Sequence, residues 1–235
     1  HSDKKIPFLI FIICFVIFIF SNDGHRYTFD EDVANQLGYR IATFENDPSY
    51  IQGESRIFFE YPWLFPPEHN PRAICQNGIL CSGAFIFHGI TQTPFILLNQ
   101  IFNFIPDDIV WDYDDFDDSN YLHWRNNINS DFIFLELFYG PIFTALSVSI
   151  LFQICRLYGI SLKNSIFVSF LYGFGTIAWA YSQTSLSTPP MIFFALLGFY
   201  FFKKWNINNF PKYLIFSGAS FGFAFLTRPD AVYFI

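Results

Sequence analysis

Charged and apolar positions separate into blocks along the chain. Ile6–Phe20 is fifteen residues without a charge, directly after Lys4 and Lys5. Four later runs repeat the pattern: Phe132–Ile154, Ser165–Tyr181, Pro190–Phe202 and Tyr213–Leu226. Glu136 is the one acidic or basic side chain inside them, and Arg156, Lys163, Lys203, Lys204 and Lys212 stand at their ends. A helix crossing hydrocarbon needs about 17–25 residues of this character. Each run is read as a transmembrane helix. The first also admits a secretory signal peptide with Lys4-Lys5 as its basic start, but no small-x-small cleavage site follows, and a retained helix is preferred. The chain ends at Ala231–Ile235 inside a further hydrophobic run.

The segment between the first two runs differs in kind. Residues 21–131 hold 17 Asp/Glu against 5 Lys/Arg, a net charge of −12. Pro48, Pro62, Pro66, Pro67 and Pro71 interrupt its first half. Gly78–Ile105 is apolar but punctuated by His88, Gln92, Pro94, Asn99, Gln100 and Asn103. A full crossing there stays open, yet helices lying along the membrane face suit this mixture better. The expected fold is therefore all-α: a polytopic transmembrane helical bundle whose long first extracytoplasmic loop contains membrane-parallel helices. Its parts are a first helix (1–20), the acidic loop (21–131) and a bundle of about four spans (132–235).

Basic residues orient this arrangement. With five spans, Lys4, Lys5, Arg156, Lys163, Lys203, Lys204 and Lys212, seven of the thirteen Lys/Arg, fall on one side. The positive-inside rule makes that side cytoplasmic. The protein is expected in a cell membrane, with its N-terminus cytoplasmic and residues 21–131 extracytoplasmic. A single crossing at 78–105 would break the agreement.

Composition narrows the function classes. Hydrophobic residues are 52% of the chain and charged residues only 14%, with 35 Phe and 13 Tyr; a soluble globular chain is about 25% charged. Disorder does not fit so aromatic a chain. Nucleic acid is excluded as a partner by a net charge of −7 and the lack of a basic patch in the sequence. Cys14 and Cys155 lie in spans, whereas Cys75 and Cys81 lie in the outer loop, where a disulfide can persist.

Three stretches are candidates for chemistry. Ser21-Asn22-Asp23-Gly24-His25-Arg26-Tyr27 puts ionisable groups where the first span meets the outer face. A carboxylate partly dehydrated at the mouth of a bundle gains basicity and can accept a proton from a hydroxyl; a helix-end cap is the plainer alternative. Thr227-Arg228-Pro229-Asp230 follows a helix carrying Gly218-x-x-x-Gly222, a spacing that allows close helix packing. A guanidinium at that helix end can hold a phosphate oxygen pair, or simply reach to the interface. The seven aspartates of Asp107–Asp118 read as a solvated acidic face, without the spacing of a calcium loop. No metal-ligand motif is present in the sequence. Glu136 is a functional candidate because it is ionisable inside a span, while Tyr172, Trp179 and Tyr181 read as interfacial aromatics.

The order of three motifs resembles the multi-pass glycosyltransferases of the GT-C fold, in particular the dolichyl-phosphate-mannose protein mannosyltransferases and the lipid A aminoarabinose transferases. Ser21-Asn22-Asp23-Gly24-His25 is similar to their acidic motif after the first span. Tyr172-Gly173-Phe174-Gly175-Thr176-Ile177-Ala178-Trp179-Ala180-Tyr181-Ser182 is similar to a span of theirs ending on the outer face. Gly218–Asp230 resembles their stretch ending Leu-Thr-Arg-Pro-Asp. The resemblance implies an inverting transfer of a sugar from a polyprenyl-phosphate donor to a protein, lipid or glycan acceptor. Asp23 would be the catalytic base or acceptor-orienting carboxylate, and His25, Arg26 and Arg228 the substrate-binding groups. No cofactor is implied; a divalent cation stays open. Two departures stand out. Where many relatives have a second carboxylate beside the first, this chain has Asn22 or Gly24. Relatives also run to about ten or more spans, so the resemblance implies an N-terminal portion. The alternative is a non-catalytic multi-pass subunit or scaffold that binds a partner through its acidic loop. A transporter fits less well, because the span interiors are nearly free of charge.

Overall fold

Helix starts and stops follow local chemistry. A computed structural model of the chain describes residues 5–22, 35, 37–39, 41–43, 86–106 and 130–234. In order these form α1 (Ile6–Ser21), α2 (Ile86–Phe102), α3 (Ser130–Leu157), α4 (Leu162–Gly175), α5 (Ala178–Tyr181), α6 (Thr188–Asn208), α7 (Pro211–Thr227) and a 3-10 turn, Pro229–Phe234. No strand occurs among the described residues; the fold is all-α. Proline opens α1, α6 and α7, where its missing N–H leaves no helix bond unmade. The Ser161 side chain caps α4 by accepting from the Asn164 amide. Helix α6 ends on Asn209 in the left-handed conformation (φ 54°), its amide bonded to the Trp205 carbonyl.

The run expected as one span over Ser165–Tyr181 is two helices. Thr176 adopts an extended backbone after α4, donates its hydroxyl to the Tyr172 carbonyl and accepts the Ala178 amide. The hydroxyl closes one helix and opens the next.

Contacts divide the chain into two units, one of His1–Tyr27 with Glu136–Ile235, the other of Thr28–Leu135. The larger unit is an up-and-down helical bundle. Ser149 Oγ donates to the Pro7 carbonyl (2.8 Å) and Asn22 Nδ2 to the Glu136 carbonyl (2.8 Å), so α1 and α3 are antiparallel. Phe18 meets Phe174 at 5.2 Å, which sets the ends of α1 and α4 together. Phe143, midway along α3, meets Phe193 in the second turn of α6, and Lys203 lies over Tyr158 near the ends of both helices. Helix α7 returns along α6 through Ser217 Oγ on the Gly198 carbonyl (2.9 Å) and the edge-on pair Phe199–Phe221. One end of the bundle therefore collects the start of α1 and the α3–α4 and α6–α7 links. The opposite end collects the end of α1, the link 182–187 and the end of α7.

Small hydroxyl residues share the interior with an apolar core of Ile10, Cys14, Phe18, Ala145, Val148 and Phe152. Ser147, Ser149, Ser165, Ser169, Ser217, Ser220 and Thr227 are buried. Four of these hydroxyls return to the carbonyl one turn back, at Phe143, Ser165, Phe216 and Phe223. Phe8, Phe20, Phe167, Ile215 and Leu226 are meanwhile all more than half exposed. Only Ser130–Leu157, among the described residues, is both long and apolar enough by itself to cross a membrane; Ile6–Ser21 is a shorter apolar helix.

Close packing falls on different glycines from those the sequence marks. A Cβ at Gly218 or Gly222 would meet nothing within 4 Å. The face α7 turns inward carries Ser217, Ser220, Ala224 and Thr227 instead. The tightest approaches are at Gly198, where a Cβ would lie 2.7 Å from the Phe221 ring, and at Gly140, where it would lie 2.7 Å from the Ser182 carbonyl oxygen.

In the smaller unit α2 forms within the stretch 78–105, with Gln92 and Asn99 buried and Gln100 exposed. Gln92 Nε2 donates to Asn35 Oδ1 at 2.9 Å. Asn99 Nδ2 and Gln100 Nε2 donate to the two carboxylate oxygens of Asp131, each at 2.8 Å. Asn99 Oδ1 takes the Ile105 amide, which finishes the turn after α2. Polar residues that interrupt the hydrophobic run thus bond polar partners outside it, Asn35 and Asp131.

Candidate functional site

The end of the bundle at which α1 stops gathers side chains from four distant parts of the sequence. Helix α1 ends because Asn22 leaves the helical region, its amide still bonded to the Ile19 carbonyl. Beside it, Ser21 Oγ donates to the Phe18 carbonyl and accepts from Gln183 Nε2 at 3.1 Å. Asn22 holds the Glu136 carbonyl, and the Glu136 side chain, fully buried, accepts from Ser185 Oγ at 2.7 Å. One turn further along α3, Gly140 allows the 182–184 backbone to lie directly on the helix. The exit of α1 and the link before α6 are therefore both tied to the first turns of α3.

Arg228 stands at the end of α7, in extended backbone with its amide on the Ala224 carbonyl. Its Nε is shared between the two Asp230 oxygens (2.8 and 2.9 Å), and Nη1 donates to Thr188 Oγ1 at 2.7 Å. Thr188 is the first residue of α6, so this contact closes α7 onto the same link that carries Gln183 and Ser185. A guanidinium has five N–H donors. Nη2 makes no bond among the described residues, and the side chain is 38% exposed. Two of the three guanidinium nitrogens, Nε and Nη1, are braced, and Nη2 keeps its donors.

Of the candidate site residues, the structure places Arg228 and, next to Asp23, the fixed Asn22. Asp23, His25, Arg26, Cys75, Cys81 and the aspartates of 107–118 lie outside the described residues. Cys14 and Cys155 are buried free thiols. Trp179, expected at an interface, packs on Phe18 and Phe174 directly beneath the polar end. Gln183, Ser185 and Thr188 are site residues not singled out from the sequence. Their signal was the run of amides and hydroxyls over Ser182–Thr188, which breaks the hydrophobic pattern. Among the described residues no group of three His, Cys, Asp or Glu side chains is gathered to hold a metal ion.

Compared with protein-family models, curated proteins and solved structures, the chain has no match.

Proposed function

We propose that the larger unit is a five-span membrane bundle, and that its polar end is the extracytoplasmic site of a glycosyltransferase using a polyprenyl-phosphate-linked sugar. The exposed apolar perimeter, together with small hydroxyl residues between the helices, supports the first part. Exposed Phe, Ile and Leu on the perimeter and small hydroxyl residues within are what helix association in lipid favours, where bulky apolar groups gain nothing by burial. At 1.5 Å per residue, the 21 residues of α6 make about 32 Å, matching a hydrocarbon core of about 30 Å, while α1, α4 and α7 make about 24, 21 and 26 Å and fall short of it. Lys5, Arg156, Lys163, Lys203, Lys204 and Lys212 all belong to the opposite end, the cytoplasmic one by the positive-inside rule.

One observation carries the second part: the three stretches that resemble GT-C enzymes, separated by up to about 200 residues, meet at a single end of the bundle. Gln183, the residue after the second stretch, donates to Ser21 of the first and to Ser182 of the second, and the third reaches the same link through Arg228–Thr188. Asp23 directly follows pinned Asn22. In this reading its carboxylate takes the proton of an acceptor hydroxyl as that oxygen attacks the anomeric carbon, and the polyprenyl phosphate departs with inversion. In the same reading the Nη2 donors of Arg228 meet the phosphate. The test is Asp23→Asn, assayed by transfer of labelled sugar from polyprenyl phosphate in membranes holding equal amounts of protein with unchanged melting. Loss of transfer supports the enzyme. Full transfer overturns it in favour of a non-catalytic membrane subunit.

A further inference from the structure

At the opposite end of the bundle, three lysines and four aromatic rings form a rim that the proposed site does not use. Lys203 Nζ lies 4.1 Å from the Tyr158 ring centre. Lys204 Nζ lies 4.6 Å from Tyr200 and 5.6 Å from Tyr213. Lys212 Nζ lies 5.3 Å from the same Tyr213 ring and 5.6 Å from Phe210. Two ammonium groups thus crowd one ring. The described residues of the larger unit contain only two carboxylates, Glu136 and Asp230, and both are at the other end. Arg156 and Lys163 add to the same positive end; Arg156 bonds the Ile160 carbonyl, not a carboxylate.

Ring faces attract cations but do not neutralise them. Helix dipoles do not account for the cluster either. The last turn of α6 holds no basic residue, and Lys212 stands in the first turn of α7, where the dipole opposes a cation. The rim thus presents its charge to an anion from outside the chain. Its surroundings select which kind: Phe210 and Ile207 are more than half exposed beside the lysines. A soluble anion would leave these apolar groups in water. A phospholipid offers a phosphate to the lysines and acyl chains to the apolar groups, the pairing expected at a headgroup boundary.

We infer that Lys203, Lys204 and Lys212, with Tyr158, Tyr200, Tyr213 and Phe210, form a binding surface for the headgroup phosphate of anionic phospholipids. The inference rests on the membrane reading above and is independent of the sugar-transfer chemistry. The experiment reconstitutes the full chain in phosphatidylcholine vesicles with a trace of spin-labelled lipid, either phosphatidylglycerol or phosphatidylcholine, and compares the motionally restricted fractions. Phosphatidylglycerol should associate more strongly by about twofold or more, since each lysine near the surface favours an anionic lipid measurably. The preference should fall as salt is raised, and it should vanish in K204Q/K212Q but persist in K163Q. Equal restriction of the two lipids by inserted wild-type protein overturns the inference, as does a preference that survives in K204Q/K212Q. Should the double variant fail to fold, the wild-type salt titration decides: a preference unaffected by salt contradicts an electrostatic rim. Restriction of neither lipid means the chain is not in the bilayer, which removes the membrane reading and the inference together.

Discussion

Replacing Gly140 with alanine drives a methyl group into backbone. The new Cβ would stand 2.7 Å from the Ser182 carbonyl oxygen and 3.0 Å from its carbon, and would also strike the Thr184 oxygen. Ordinary contact begins at 3.4 Å, so the 182–184 link must retreat by about 0.7 Å or more. No side-chain rotation can relieve the clash, because the atoms struck are main chain. Overpacking of this kind costs about 1–3 kcal/mol. The retreat also stretches the Ser185–Glu136 bond from 2.7 Å toward the limit of a hydrogen bond, and a bond to a carboxylate contributes about 1.5–3 kcal/mol. Alanine's better helix propensity returns at most about 1 kcal/mol. The net expectation is a loss of about 2–4 kcal/mol, or roughly 5–15 °C in melting temperature for a chain of this size. Thermal unfolding of purified protein in detergent measures it, with Gly222→Ala as the control. That control adds the same methyl to an open helix face and should be neutral or slightly stabilising. If Gly140→Ala and Gly222→Ala melt together, the 182–184 link does not rest on α3, and the polar end is not held together by that contact.

Further outcomes follow from the same geometry. Glu136→Gln keeps an acceptor for Ser185 and should melt within about 1 kcal/mol of wild type, whereas Glu136→Leu removes that acceptor from a buried hydroxyl and should cost about 1–3 kcal/mol in the same assay. Cys14 and Cys155, 0% and 6% exposed, should resist maleimide in the folded protein and react only after denaturation; rapid labelling of Cys14 in native membranes would contradict the packing of α1 against α3. Arg228→Lys should leave melting almost unchanged, since a part-exposed ion pair contributes no more than about 1 kcal/mol. It should nevertheless weaken binding of polyprenyl monophosphate several-fold, because lysine cannot present a planar fork; equal binding would remove Arg228 from the phosphate site.

The all-helical character and most helix positions were legible in the block pattern of apolar residues, because that pattern is set by what surrounds a helix. The break at Thr176 was not. It depends on one hydroxyl serving two helix ends, which resembles any other small polar residue in a hydrophobic run. Gly218 and Gly222 misled for a related reason: spacing places two glycines on one face but does not say which face meets a neighbour, and the Ser217–Ser220–Ala224 face does. Glu136 stood out at once as a carboxylate in an apolar run. Its partner Ser185 did not, since one hydroxyl in a polar link carries no mark of what it will reach. Arg228 was legible as a helix-end cation, but its bracing by Asp230 and Thr188 emerges only when α6 and α7 are packed.

Photolabelling by a polyprenyl monophosphate with a reactive group beside the phosphate tests the central claim most directly. Incubated with the full chain in native membranes, irradiated and mapped by peptide mass spectrometry, the probe should mark Ser182–Thr188 and Thr227–Asp230, and excess unlabelled lipid should compete it away. Labelling confined to the Lys203–Lys212 end, or labelling at the polar end that does not saturate, would contradict a polyprenyl-phosphate site there.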